Sequence, residues 1–127
     1  MTEKKTSFDS LFSDSGPFDE NEVIQVLHDH VTIQRSSNKI FFKDTDLSVT
    51  KKILVYGLAK KLLKMKGLSE TDLITAQEFR EATRISKGTI DPAFKTLKDK
   101  GLLVGKREYE IPTSRVASIA KLISSRK

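Results

Sequence analysis

The chain has 127 residues, of which 37% are hydrophobic and 31% charged, enough for one domain with a single modest core. It contains neither cysteine nor tryptophan, which excludes a disulfide scaffold, a thiolate zinc site, an iron-sulfur cluster and a thiol nucleophile. No apolar run approaches the roughly 20 residues needed to cross a bilayer. Met1 to Lys5 leads into acidic and hydroxyl residues instead of an apolar signal core, so the expectation is a cytoplasmic protein with no membrane partner.

The net charge of +6 is unevenly spread. Residues 1–46 hold five basic against nine acidic groups, a net of −4, and residues 47–127 hold eighteen against eight, a net of +10. A polyanionic partner is therefore expected to meet the second part of the chain.

Residues 1–17 end in Ser13-Asp14-Ser15-Gly16-Pro17 and lack hydrophobic periodicity, which predicts a disordered acidic tail. Phe8, Leu11 and Phe12 within it form an acidic and aromatic cluster suited to docking on a protein partner. The bland reading is an ordinary terminus with stray aromatics.

Residues 18–46 read as an extension. Val23, Ile24 and Leu27 predict a short helix from Asn21 to Asp29, and Val31 to Ile33 with Lys39 to Phe42 predict a small hairpin around Arg35 to Asn38. His28 and His30 stand two apart, on opposite sides of a helix, with no third ligand nearby, so no metal site is expected.

Ser48 or Thr50 can cap a helix over Lys51 to Lys66, whose apolar face includes Ile53, Leu54, Tyr56, Leu58, Leu62, Leu63 and Met65. Six lysines fill the remainder, a pattern that fits a membrane surface helix as well as a central core helix, and the core reading is preferred. Gly57 costs the helix about 1 kcal/mol against alanine, which suggests that another backbone packs closely there. Thr75 and Glu78 form a capping box, flanked by Ile74 and Phe79 as a hydrophobic staple, for a helix over Ala76 to Arg84.

Ile90, Phe94 and Leu97 form one buried stripe of a further helix, and Lys87, Asp91, Lys95 and Lys98 occupy the opposite face. Gly101 fits the left-handed stop of that helix. Leu102 to Val104 and Glu108 to Ile111 predict a hairpin with Lys106 and Arg107 at its tip. Thr113 or Ser114 caps a last helix carrying Val116, Ile119, Ala120 and Ile123.

This order is similar to a winged helix-turn-helix over residues 48–124, within a segment of residues 47–127. The pattern Ser86-x-x-Thr89-Ile90-x-x-x-Phe94-x-x-Leu97-x-x-x-Gly101-Leu102-Leu103 resembles the recognition helix of archaeal and bacterial transcription regulators. The implied fold class is α+β, mainly α with a small β component, carrying an N-terminal helix and hairpin extension. The resemblance implies that residues 86–98 lie in or over the major groove of double-stranded DNA. Ser86, Lys87, Thr89, Asp91, Lys95 and Lys98 would be the contacts there, while Lys106 and Arg107 on the wing would reach a phosphate or the minor groove. Six basic and two acidic residues between 87 and 107, with no evident partner for the lysines, fit phosphate binding independently.

Pro92 interrupts the pattern. Either the helix starts at Ser86 and Pro92 strains it, or Asp91 caps a helix that begins at Pro92; both place a kink or break near Asp91. The helix face lacks Asn, Gln and Arg, so backbone contacts and modest sequence preference are expected. Catalysis and cofactors are not expected, because no phosphate loop, His-Glu-x-x-His or Gly-x-Ser-x-Gly motif is present. The functional expectation is a transcription regulator or chromatin-associated factor, with a protein interaction module as the alternative. Residues 21–29 or 116–123 could supply a homodimer interface, unless each apolar stripe is consumed by its own core.

Overall fold

A computed structural model of the chain describes residues 20–43 and 47–125. Phe8, Leu11 and Phe12 lie outside these residues, as does the whole of the 1–17 segment. The described residues run α1 (Glu20–His30), β1 (Val31–Ile33), β2 (Ile40–Phe42), α2 (Val49–Met65), β3 (Ile74–Thr75), α3 (Ala76–Thr83), α4 (Lys87–Asp99), β4 (Val104–Gly105), β5 (Glu108–Glu110) and α5 (Val116–Ser125). The class is α+β. β1 and β2 pair antiparallel with Val31 opposite Phe42, and a second antiparallel sheet has the order β3-β5-β4.

Helix boundaries follow local hydrogen-bonding chemistry. Ser48 caps α2 by accepting from the Lys51 amide at 3.3 Å. Gly101 takes a left-handed φ of 78° after α4, where a side chain would add strain. Thr113 and Ser114 do not cap α5. They lie in a 3-10 turn, Thr113–Arg115, entered from Pro112, whose lack of an N–H suits it to a helix start.

α2 differs from the expected two-faced helix. Every residue from Ile53 to Ala59 is buried, because α1, α4 and α5 all pack on this helix. An element enclosed on all sides needs no apolar stripe. In α1 the buried residues are Val23, Val26 and Leu27, and Ile24 is exposed. The buried stripe has turned by one position to face α5 and α2. Val116, Ile119, Ala120 and Ile123 of α5 are all buried, so this stripe is spent within the chain's own core, and of the expected α1 stripe Ile24 alone stays outside it.

Gly57 sits where α2 meets the second sheet. A methyl group built there would lie 2.8 Å from Ile111 Cδ1 and 3.2 Å from Ile74 Cδ1. The close neighbours are thus isoleucine side chains, not a second backbone, and both are fully buried with nowhere to retreat.

The lysines of α2 are largely engaged. Lys60 pairs with Glu78 at 2.6 Å, Lys66 with Glu20 at 2.7 Å, and Lys61 donates to Asp72 at 2.8 Å. Lys61 and Asp72 are only 8% and 5% exposed, and Lys64 reaches the other Asp72 oxygen at 3.8 Å. Burial alone would raise the Asp72 pKa, but the hydrogen bond and charge of Lys61, a bond within its own backbone and the Lys64 charge outweigh it and hold the carboxyl below its ordinary range.

Two outcomes test these packing arguments. Gly57→Ala gains helix propensity of about 1 kcal/mol but overpacks a closed site at about 1–3 kcal/mol, so a net loss is expected in urea denaturation. Adding Ile111→Val removes the nearest methyl and should recover most of it. Asp72→Asn should cost about 3 kcal/mol by taking from the buried Lys61 its near countercharge and leaving only Glu110 at 4.0 Å. A depressed carboxyl pKa adds stability that is present above its unfolded value near 4 and lost as pH falls through the folded value. The wild-type stability curve should therefore drop below about pH 4, and that of the Asp72→Asn variant should be flatter there.

Candidate nucleic-acid interface

The helix beneath α4 is fixed at its start. Thr75 Oγ1 accepts from the Glu78 amide at 3.0 Å, and Glu78 Oε1 accepts from the Thr75 amide at 3.4 Å, completing the capping box. The second carboxylate oxygen accepts from Tyr56 Oη at 2.9 Å and from Lys60 Nζ at 2.6 Å. Burial, followed by the charge of Glu78 and the hydrogen bond to it, pushes the Tyr56 phenol well above its ordinary pKa. Tyr56 is therefore a neutral donor that pins α3 to α2.

Phe79 is fully buried and lies edge-on to Tyr56 at 5.5 Å and to Phe94 of α4 at 6.0 Å. Phe94 in turn meets Tyr109 of β5 at 4.9 Å. Offset or edge-on ring pairs of this kind add about 0.5–1.5 kcal/mol beyond burial. They set the spacing of α3, α4 and the β4-β5 hairpin.

α4 is continuous from Lys87 to Asp99, with Ser86 at the N-cap and Pro92 inside. The expected break near Asp91 does not occur. Ile90, Ala93, Phe94 and Leu97 all face the core, and this burial outweighs the single backbone bond that Pro92 removes. Ser86 makes no side-chain cap bond to an amide. Its hydroxyl meets that of Thr89 at 3.2 Å instead.

The exposed face of α4 also differs from the expected row of free lysines. Lys87 pairs with Asp91 one turn on, and Lys95 lies 3.7 Å from Asp99. The i, i+4 spacing places each pair on one helix face. Lys98 and Lys100 make no ion pair among the described residues.

The strongest cationic feature is the hairpin tip. Lys106 and Arg107 are exposed and unpaired among the described residues, between β4 and β5. Gly105 permits this tight connection: its φ is +130°, and a Cβ there would come within 1.9 Å of the Glu108 carbonyl oxygen. The tip closes one side of a groove of about 520 Å³. Thr75, Ala76 and Gln77 at the start of α3 line another side, and Asp91 and Phe94 of α4 form a third.

Of the residues singled out in the sequence, the groove brings together Asp91, Lys106 and Arg107. Ser86, Lys87, Thr89, Lys95 and Lys98 stand along α4 outside it. Thr75, Gln77 and Tyr109 join the groove without having been singled out as contacts. The capping box was a usable signal for the first two, since it marks where α3 begins. β3 was the hidden element: it pairs Ile74 with Tyr109 and Thr75 with Glu108, carrying the start of α3 to the hairpin.

The chain matches no family model, no curated protein sequence and no solved structure. Among the described residues no cluster of His, Asp or Glu is arranged to hold a metal ion, and no helix is long and apolar enough to cross a membrane.

Gly105→Ala tests how the tip is held. The positive φ and the backbone collision together should cost about 2 kcal/mol or more. Amide chemical shifts from Val104 to Glu110 should move while those of α1 stay in place.

Proposed function

We propose that the chain binds double-stranded DNA as a winged helix-turn-helix, with α3 and α4 as the helix pair and the β4-β5 hairpin as the wing. The observation that carries the reading is Lys106 and Arg107, unpaired among the described residues, beside the start of α3 and the outer face of α4. Two cations unpaired among the described residues and a polar helix face across a groove suit phosphate groups and the edge of a duplex.

The paired ions on α4 shape what such binding can be. Lys87 and Lys95 are partly neutralised by Asp91 and Asp99, so the wing, Lys98 and Lys100 carry most of the phosphate attraction. Base reading falls to Ser86, Thr89 and Asp91, and Asp91 can accept from a cytosine amino group only by releasing Lys87. The proposed role is a transcription regulator or chromatin-associated factor of modest sequence preference. The same charge pairing favours a protein interaction module as the second reading.

A fluorescence-anisotropy titration with duplex DNA across 50–200 mM salt, roughly the range over which phosphate contacts weaken, separates the two. DNA binding requires affinity to fall steeply with salt. Lys106→Ala with Arg107→Ala should weaken binding to all sequences alike and reduce the slope by about 1 to 2. Asp91→Asn frees Lys87 and removes a repelling charge, which should raise affinity by about two- to fivefold. Undetectable or salt-independent binding leaves the protein-module reading.

A further inference from the structure

A larger and more enclosed groove, about 770 Å³, lies toward the other end of α3. Its walls come from the β1-β2 hairpin, from α2 and from α3 with the residue that ends it, Arg84. The volume falls within the range of about 300–1,000 Å³ typical of small-molecule sites. None of the residues assigned to DNA contact lines it.

The groove has an apolar wall, and its charged lining is three basic residues, Lys39, Lys60 and Arg84, against two acidic ones, Glu78, which Lys60 pairs, and Glu81, which accepts from Gln77. Phe41 is 51% exposed and stands on the wall with Ile40 and Leu63. On the floor, Lys60 uses one of its three N–H donors on Glu78, leaving two for a ligand. Lys39 and Arg84 line the same groove and make no ion pair among the described residues.

The backbone is also unusual here. Asn38 and Arg84, with φ of 60° and 62°, are the non-glycine residues with positive φ among the described residues, and both line this groove. Asn38 is locked by its side-chain bond to the Leu68 carbonyl at 2.8 Å. Arg84 ends α3 in the conformation that glycine adopts most easily. Arg84 thus lines the groove from a backbone conformation that carries local strain.

We infer that the groove between the β1-β2 hairpin, α2 and α3 is a binding site for a small aromatic acid. Its flat apolar body lies against Phe41 and Leu63, and its carboxylate is held by Lys60, Lys39 and Arg84. Glu78, already shared by Tyr56 and Lys60, has acceptor capacity left for a hydroxyl or amino group on the ring. The inference does not depend on DNA binding. Its location does allow occupancy to act on α3, whose Phe79 touches both Tyr56 of this groove and Phe94 of α4.

The test is an amide-shift titration of the ¹⁵N-labelled full chain with 1-naphthoate, and in parallel with uncharged 1-naphthalenemethanol. Saturable shifts should concentrate at residues 37–41 and 78–84. Naphthoate should bind at least about fivefold more tightly than the alcohol, as expected for contacts with partly exposed cations. Arg84→Asn, which tolerates the left-handed backbone, and Phe41→Ala should each weaken naphthoate binding by about threefold or more, while Lys106→Ala should leave it unchanged. The spectra themselves report whether each variant is folded. Shifts centred on the hairpin tip, equal affinity for the two probes, or affinity unaffected by both groove variants would overturn the assignment. None of these readouts involves DNA, so failure of the DNA reading would be seen separately.

Discussion

Lys61 and Asp72 are buried together, and much of the structure is arranged around keeping them so. A lysine ammonium taken from water without a partner would cost several kcal/mol. The chain between α2 and β3 must therefore return to place Asp72 against Lys61. That return delivers Ile74 and Thr75 to the edge of β5, and the strand pairing fixes where α3 begins. Glu110 of β5 approaches the same ammonium at 4.0 Å, so β5 is referenced to α2 through one charge. The pair acts more as a register device than as a source of net stability, since buried ion pairs often gain little over apolar replacements.

A second constraint operates through shape. Gly57 lets Ile111 and Ile74 approach the central helix, which brings the second sheet against α2. The ring contacts from Tyr56 through Phe79 and Phe94 to Tyr109 then carry this placement outward. The hairpin tip and the outer face of α4 owe their relative position to a glycine and four rings.

Legibility in the sequence divided along the range of the interactions. Ser48, the Thr75 and Glu78 box and Gly101 marked helix ends correctly because each acts on backbone groups within a few residues. The stripe of Ile90, Phe94 and Leu97 was visible for the same reason. Enclosure of α2 was not, because it depends on α1 and α5, which arrive from opposite ends of the chain. The neutralisation of the α2 lysines depended likewise on Glu20, Asp72 and Glu78, whose positions only the fold supplies. The Lys87–Asp91 and Lys95–Asp99 pairs are a different case. Their i, i+4 spacing is present in the sequence, and it cancels part of the cationic face that the lysines alone suggest. Pro92 misled in the opposite direction, since a rule for isolated helices met a helix anchored by four buried side chains.

Pro92 leaves one trace on the surface of α4. Residue 92 has no amide hydrogen, so the carbonyl of Gly88 is denied its usual bond one turn later. Gly88 has no side chain and is open to solvent, and nothing would lie within 4 Å of a Cβ placed there. The helix thus gives up one main-chain bond in its first turn, between Lys87 and Thr89, while Ile90, Ala93, Phe94 and Leu97 hold its other side in the core. The cost of Pro92 falls on one backbone bond at an exposed position without a side chain, where no packing has to give way.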